Sequence, residues 1–128
     1  MSKKTARAAK SPSKTAPNIV KSETLGGAGR PGANDRINHA VIGLGGMGQG
    51  HLGYVLKDPQ AKLVAVCDVM QSRVKASLEK VGGDCRGYRD FREMIDHEDI
   101  DVVHVVTPPH WHALQNIYAL NAGCDVWA

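Results

Sequence analysis

Residues 40–53 read AVIGLGGMGQGHLG, and within them Gly43, Gly45 and Gly48 spell G-x-G-x-x-G directly after a short apolar run. Glycine-rich hexapeptides are common, so the surroundings carry the information. Ile37–Ile42 predicts a buried strand. Met47–Leu56 predicts a helix with Met47, Leu52, Val55 and Leu56 on or near one face. A second apolar run, Leu63–Cys67, ends at Asp68. Strand, glycine turn, helix, strand and acid, in that order, form the fingerprint of a dinucleotide-binding unit.

Each glycine has a physical task in that reading. Gly43 permits the tight exit from the strand, Gly45 lets a pyrophosphate approach the backbone, and Gly48 lets the helix pack closely on the strand. The helix start then turns its unpaired N–H groups and positive dipole end toward the phosphates. Asp68 follows Gly43 by 25 residues, near the spacing at which an acid accepts hydrogen bonds from the adenosine ribose. The overlapping frame Gly48, Gly50, Gly53 has no strand before it and falls inside the helix. There Gly50 and Gly53 each cost roughly 1 kcal/mol relative to alanine, and close packing on the sheet is the expected reason for them.

The 128 residues suffice for one modest domain, and 42% apolar content can supply its core. Aromatics, at 5%, are too sparse for a platform that stacks single-stranded nucleic acid. Cys67, Cys85 and Cys124 show no C-x-x-C spacing and read as reduced thiols rather than a disulfide framework or zinc site. The net charge of +3 is unevenly spread: residues 1–36 hold eight Lys/Arg against two acids (+6), residues 37–128 eight against eleven (−3). Residues 1–36 thus read as a disordered basic tail and linker, and the folded domain begins near Ile37. The tail has no apolar run of secretory type and no paired arginines, and the chain has no transmembrane span. A cytoplasmic location is the default, and neither membrane nor nucleic acid is an expected partner.

After Asp68, Ser72–Val81 predicts a helix with Val74, Leu78 and Val81 at helical spacing, ended by Gly82-Gly83. Arg86–Tyr88 predicts a short strand. Asp90 caps a helix over Phe91–Ile95, with Glu93 completing a capping box. Asp101–Thr107, DVVHVVT, predicts a buried parallel strand closed by Pro108-Pro109. His112–Asn121 predicts a helix with Ala113, Leu114, Ile117 and Leu120 inward and Gly123 at its C-cap, and Asp125–Ala128 begins another strand. The alternation implies an α/β class, a doubly wound parallel sheet of order 3-2-1-4-5 with right-handed crossovers.

His110-Trp111-His112 with His104 nearby invites a metal reading. Histidines two apart diverge on a helix, however, and no cysteine or carboxylate joins them at ligand spacing. His104 reads instead as a hydrogen-bonded core histidine. Trp111 either covers a ligand or packs at the domain edge.

Taken together, VIGLGGMGQGHL, VAVCDV, YRDFREMID, DIDVVHVVTPPHWHAL and ALNAGCDVW resemble the Gfo/Idh/MocA oxidoreductases from about Ile37 to Ala128. The resemblance implies an N-terminal Rossmann domain for NAD, or less readily NADP, followed by a substrate domain. It implies hydride transfer with a sugar, inositol or related polyol, in a homo-oligomer when complete. Carried over, the turn Gly43-Leu44-Gly45-Gly46-Met47-Gly48 would hold the pyrophosphate and Asp68 the ribose. Thr107, Pro108, Pro109 and His112 would line the nicotinamide side. The family's Glu-Lys-Pro motif would follow Ala128, so residues 37–128 read as an incomplete Rossmann domain without its substrate domain. By itself this stretch is expected to be marginally stable or self-associating, a weak dinucleotide binder and inactive. A non-catalytic nucleotide-binding or interaction module is the alternative. A methyltransferase fits the glycine spacing and the Thr107-Pro108-Pro109 turn less well. Asp68 favours NAD over NADP, since its charge repels a 2′-phosphate, and Arg73 is the one nearby cation that sequence position suggests.

Overall fold

The structure, a computed structural model, describes residues 36–128; the tail and linker expected over 1–36 lie outside these residues, Arg36 excepted. Five strands form one parallel sheet: β1 (Ile37–Ile42), β2 (Ala61–Cys67), β3 (Arg86–Tyr88), β4 (Val102–Val105) and β5 (Asp125–Trp127). Their order across the sheet is β3-β2-β1-β4-β5, the order that the alternation predicts. Helices α1 (Gly46–Lys57), α2 (Gln71–Val81), α3 (Phe91–His97) and α4 (Pro109–Asn121) connect them.

The apolar strands read as continuous runs because both faces are covered. On one face Val41, Leu44, Leu63 and Val66 pack with Leu52 and Val55 of α1 and Val74 of α2. On the other Ala40, Ile42, Ala65, Cys67, Val103 and Val105 pack with Met94 and Ile95 of α3 and Ala119 of α4. An irregularity in register sets this sorting. His39 pairs Leu63 but Ala40 pairs Ala65, so Val64 is an extra residue in β2. Leu63 and Val66, three apart, thereby reach the same face.

Helix ends follow local chemistry. Gly82 and Gly123 both take positive φ, +68° and +83°, at the ends of α2 and α4. Asp90 accepts the Arg92 N–H at 2.9 Å and so caps α3. Pro109 opens α4 three residues before the expected His112, since a proline at the first helical position loses no bond.

Three sequence expectations are corrected here. The inward residues of α4 are Gln115 and Ala119, whereas Ala113, Leu114, Ile117 and Leu120 are exposed. Small Ala119 and Ala122 bring α4 close to β4 and β5, and the larger apolar side chains stand on the outer face. In α1 Gly48, Leu52 and Val55 are buried, but Met47 and Leu56 are exposed. Nor does close packing account for Gly50 and Gly53: a Cβ at either would meet no heavy atom within 4 Å.

His104 on β4 is 1% exposed and is bonded at both ring nitrogens. Nε2 lies 2.8 Å from His39 Nδ1 on β1, and Nδ1 lies 2.9 Å from His51 Nδ1 on α1. Trp127 of β5 packs beside it, ring centroids 5.1 Å apart. This is the hydrogen-bonded core histidine that the sequence suggests, extended into a three-histidine chain. Burial, with neighbouring His39 and His51, pushes the His104 pKa down to about 4. Burial lowers that of His39 too, against the opposing pull of Asp58 and Asp101.

Two predictions follow from the fold. Gly50→Ala and Gly53→Ala, with room for the methyl and better helix propensity, each raise stability by up to roughly 1 kcal/mol, read as a higher urea midpoint. Unfolded histidine titrates near 6.5 and the folded His104 well below it, so the folded state binds fewer protons across that interval. Stability is therefore complete above about pH 6.5 and declines as the pH falls toward 4. Urea titrations at pH 7 and pH 5 should show this slope, and His104→Val should flatten it.

Candidate functional site

The carboxyl ends of the strands open into a cleft of about 880 Å³, a volume suited to a cofactor-sized ligand. Its walls come from both halves of the sheet: the exit of β1, the end of β2, the β3–α3 connection and the start of α4. This is the crevice at the switch point, where β1 leads to β2 on one side and β4 lies on the other.

Gly43 leaves β1 with φ +97°, and a Cβ there would stand 2.5 Å from the Val106 carbonyl oxygen. Gly48 faces back onto Gly43, where any Cβ would overlap the Gly43 carbonyl group. Both positions therefore require glycine for packing alone. Gly45 differs. Its backbone is ordinary extended (φ −73°, ψ −165°), and the nearest group to a Cβ would be Arg73 Nη1 at 3.8 Å. The protein leaves this position open to the cleft, so here the residue that a bound pyrophosphate would exclude is separable from the residues that packing excludes.

Gly45 is also the N-cap of α1, and no side chain caps the helix; its first turn holds no acid. The N-termini of α2 and α4 likewise lack side-chain caps, and their cap residues Met70 and Pro108 line the same cleft. Uncapped N–H groups at converging helix starts favour an anion.

Asp68 closes β2 and is 7% exposed. Its Oδ2 accepts the Leu44 N–H at 2.9 Å and its Oδ1 the Met70 N–H at 2.8 Å. Arg73 Nη1 lies 3.7 Å from Oδ2. The buried charge is thus matched by two backbone donors and one cation, while each carboxylate oxygen has two acceptor sites and Oδ1 retains one beyond these contacts. At the opposite wall His112 donates Nε2–H to the Thr107 carbonyl at 2.7 Å, and Thr107 Oγ1 donates to Gln115 Oε1. The first turns of α4 therefore fix the turn that ends β4.

Of the residues expected from sequence, Gly43, Gly45, Gly46, Met47, Asp68, Thr107 and Pro108 line the cleft together. Leu44 is buried beneath it and Gly48 is enclosed in packing. Pro109 and His112 are not among its lining residues; His112 acts on the cleft through Thr107. Trp111 lines the cleft and stays 46% exposed. Sequence position singled out Arg73 alone, but Arg89 and Arg92 reach the same cleft. The predicted order already put β3 beside β2, so the loop after β3 was the signal that could have found them.

The profile described as "Oxidoreductase family, NAD-binding Rossmann fold" matches residues 37–128. Inositol 2-dehydrogenase of Salmonella typhimurium is 31% identical over 87 residues, 67% of this chain and 26% of that protein. A glycosyl hydrolase family 109 protein of Porphyromonas gingivalis is 34% identical over 97 residues, 70% of this chain and 21% of its own length. The structure of scyllo-inositol dehydrogenase from Lactobacillus casei with bound NAD(H) and scyllo-inositol matches with TM-score 0.67 and 34% identity, over 71% of this chain and 27% of that one. The chain spans about a quarter of the length of these relatives. Among the described residues no helix is long and apolar enough to cross a membrane. The profile covers the whole of the sheet and the cleft at its carboxyl ends, and the chain belongs to the Gfo/Idh/MocA oxidoreductase family, with residues 37–128 as an NAD-binding Rossmann domain.

Proposed function

We propose that residues 37–128 form the NAD-holding unit of an oxidoreductase that moves a hydride between nicotinamide and a sugar, inositol or related polyol. The observation that carries this reading is the pairing of an open Gly45 with a buried Asp68 at one cleft wall. The first admits a pyrophosphate to the backbone, and the second offers a carboxylate to vicinal ribose hydroxyls. Gly45, Gly46 and Met47 would hold the pyrophosphate, Asp68 the adenosine ribose, and Thr107 and Pro108 the nicotinamide half. Bound there, NAD would supply the two-electron chemistry; the chain's own residues bind, orient and shield it. The substrate class rests on the inositol dehydrogenases among the relatives.

NAD is preferred to NADP in this reading. Asp68 stands where a 2′-phosphate would meet its charge, and Arg73 is already paired with that carboxylate. Arg89 and Arg92 add positive charge to the cleft, but Arg92 is itself held by Asp90, with Nη2 2.9 Å from Oδ2. Calorimetric titration of the chain with NAD and NADP tests the proposal, and tighter binding of NADP would refute the preference. The likeness to glycosyl hydrolase family 109 proteins supplies a second reading, cleavage of a glycoside. Aryl glycoside turnover with no oxidation of inositols would favour it.

Two variants probe the site, the first of them separating binding from folding. Gly45→Val places a branched side chain in space that the protein leaves free, so circular dichroism and the thermal midpoint should stay close to those of the parent while NAD binding disappears. Asp68→Asn removes the charge that opposes a 2′-phosphate and frees Arg73. The ratio of NADP to NAD dissociation constants should fall by about tenfold or more, some 1.4 kcal/mol of discrimination.

A further inference from the structure

We propose that Gln49 is the positioning residue of the glycine turn, aiming the Gly45 N–H by holding the Leu44 carbonyl from behind. This rests on the reading of the turn as a dinucleotide cradle.

Gln49 lies in the first turn of α1, where its carboxamide meets three groups. Nε2 donates to the Leu44 carbonyl at 3.2 Å and to Ser77 Oγ at 3.0 Å, and Oε1 accepts from Lys80 Nζ at 3.3 Å. The chemistry of the partners fixes which end is which: a carbonyl can only accept and an ammonium only donate, so Nε2 must face Leu44 and Oε1 must face Lys80. The two hydrogens of the amide nitrogen serve Leu44 and Ser77, and no donor is left over. Ser77 is fully buried on α2, so the contact ties the turn to a second helix.

The consequence for the turn follows from peptide geometry. The Leu44–Gly45 peptide is planar and trans, so its N–H points the opposite way from its carbonyl. Whatever fixes the Leu44 carbonyl therefore fixes the direction of the Gly45 N–H, at the one glycine whose side-chain space is open to the cleft. The peptide before it is held as well, since the Leu44 N–H is bonded to Asp68 Oδ2. The two peptide planes flanking Leu44 are thus set from opposite sides, one by the acid of β2 and one by the amide of α1. A turn rich in glycine has many conformations to lose on binding an anion, and fixing these two planes in advance lowers that cost.

The test compares Gln49→Leu, which cannot donate, with Gln49→Glu, which keeps the Lys80 contact but presents only acceptors to the Leu44 carbonyl. In amide ¹H–¹⁵N spectra of the ligand-free chain, both variants should shift the Leu44 and Gly45 resonances. The thermal midpoint of Gln49→Glu should stay near that of the parent. In calorimetric titrations with NAD, both should raise Kd by about tenfold, and Lys80→Ala, which leaves the Leu44 bond intact, should change it little. Unchanged Leu44 and Gly45 resonances, or NAD affinity equal to the parent's in both variants, would overturn the proposal. A parent chain that fails to bind NAD refutes the cofactor reading instead, and the resonances then judge the clamp on their own.

Discussion

The contact between Gly43 and Gly48 is the constraint on which the rest of the structure depends. With no side chain at either position, the first turn of α1 can rest on the backbone that has just left β1. A methyl group at Gly48 would overlap the Gly43 carbonyl, and one at Gly43 would press on Val106 at the end of β4. The helix, the central strand and its other neighbour therefore meet at one point. That close approach sets the height of α1 above the sheet. From that height Leu52 and Val55 reach the core, Gln49 reaches Leu44, and His51 reaches His104.

Charge is placed with the same economy of contact. Asp68 is almost entirely buried, and a carboxylate in that state needs donors around it. It finds them in the backbone of the two segments that it joins, Leu44 after β1 and Met70 before α2. The bonds do two things at once. They supply donors to the buried carboxylate, and they hold the glycine turn to the end of β2, so the residue that would receive a ribose also shapes the cradle for the phosphates. Any substitution at Asp68 changes both, which is why Gly45, free of such obligations, is the cleaner probe of the site.

Much of this was legible in the sequence because the signals were local. The glycine spacing, the apolar runs at β1, β2 and β4, and the acid after β2 each depend on neighbours in the chain, and the strand order follows from the alternation and the handedness of crossovers. The errors came where partners are distant. On α4 the more apolar stripe, Leu114, Ile117 and Leu120, looked like the buried one, yet the sheet receives Gln115 and Ala119 because small residues allow closer approach. Hydrophobicity ranks faces; it does not say which face the geometry can accept. Close packing on the sheet was the expected reason for Gly50 and Gly53, but their side-chain space is empty. His104 was recognisable as buried from DVVHVVT, whereas its partners depended on register: β1 pairs Val41 with His104 and so leaves His39, two residues back on the same strand, within reach of its ring, and α1 must deliver His51.

The two polar assemblies are joined through α1. At its N-terminal end the helix presents an uncapped turn to the cleft; one turn on, His51 is bonded to His104, and through it to His39 on β1. Gln49 sits between these ends and ties α1 sideways to α2. A helix held at two residues by directional bonds has little freedom to slide along the sheet, and a slide is the motion that glycine-to-backbone packing alone would resist least. The glycine contact sets how near α1 lies, while the bonds at Gln49 and His51 set where along the strand it lies. A phosphate cradle depends on the second quantity more than the first, because the donors of a helix start are useful only when they stand level with the turn that precedes them.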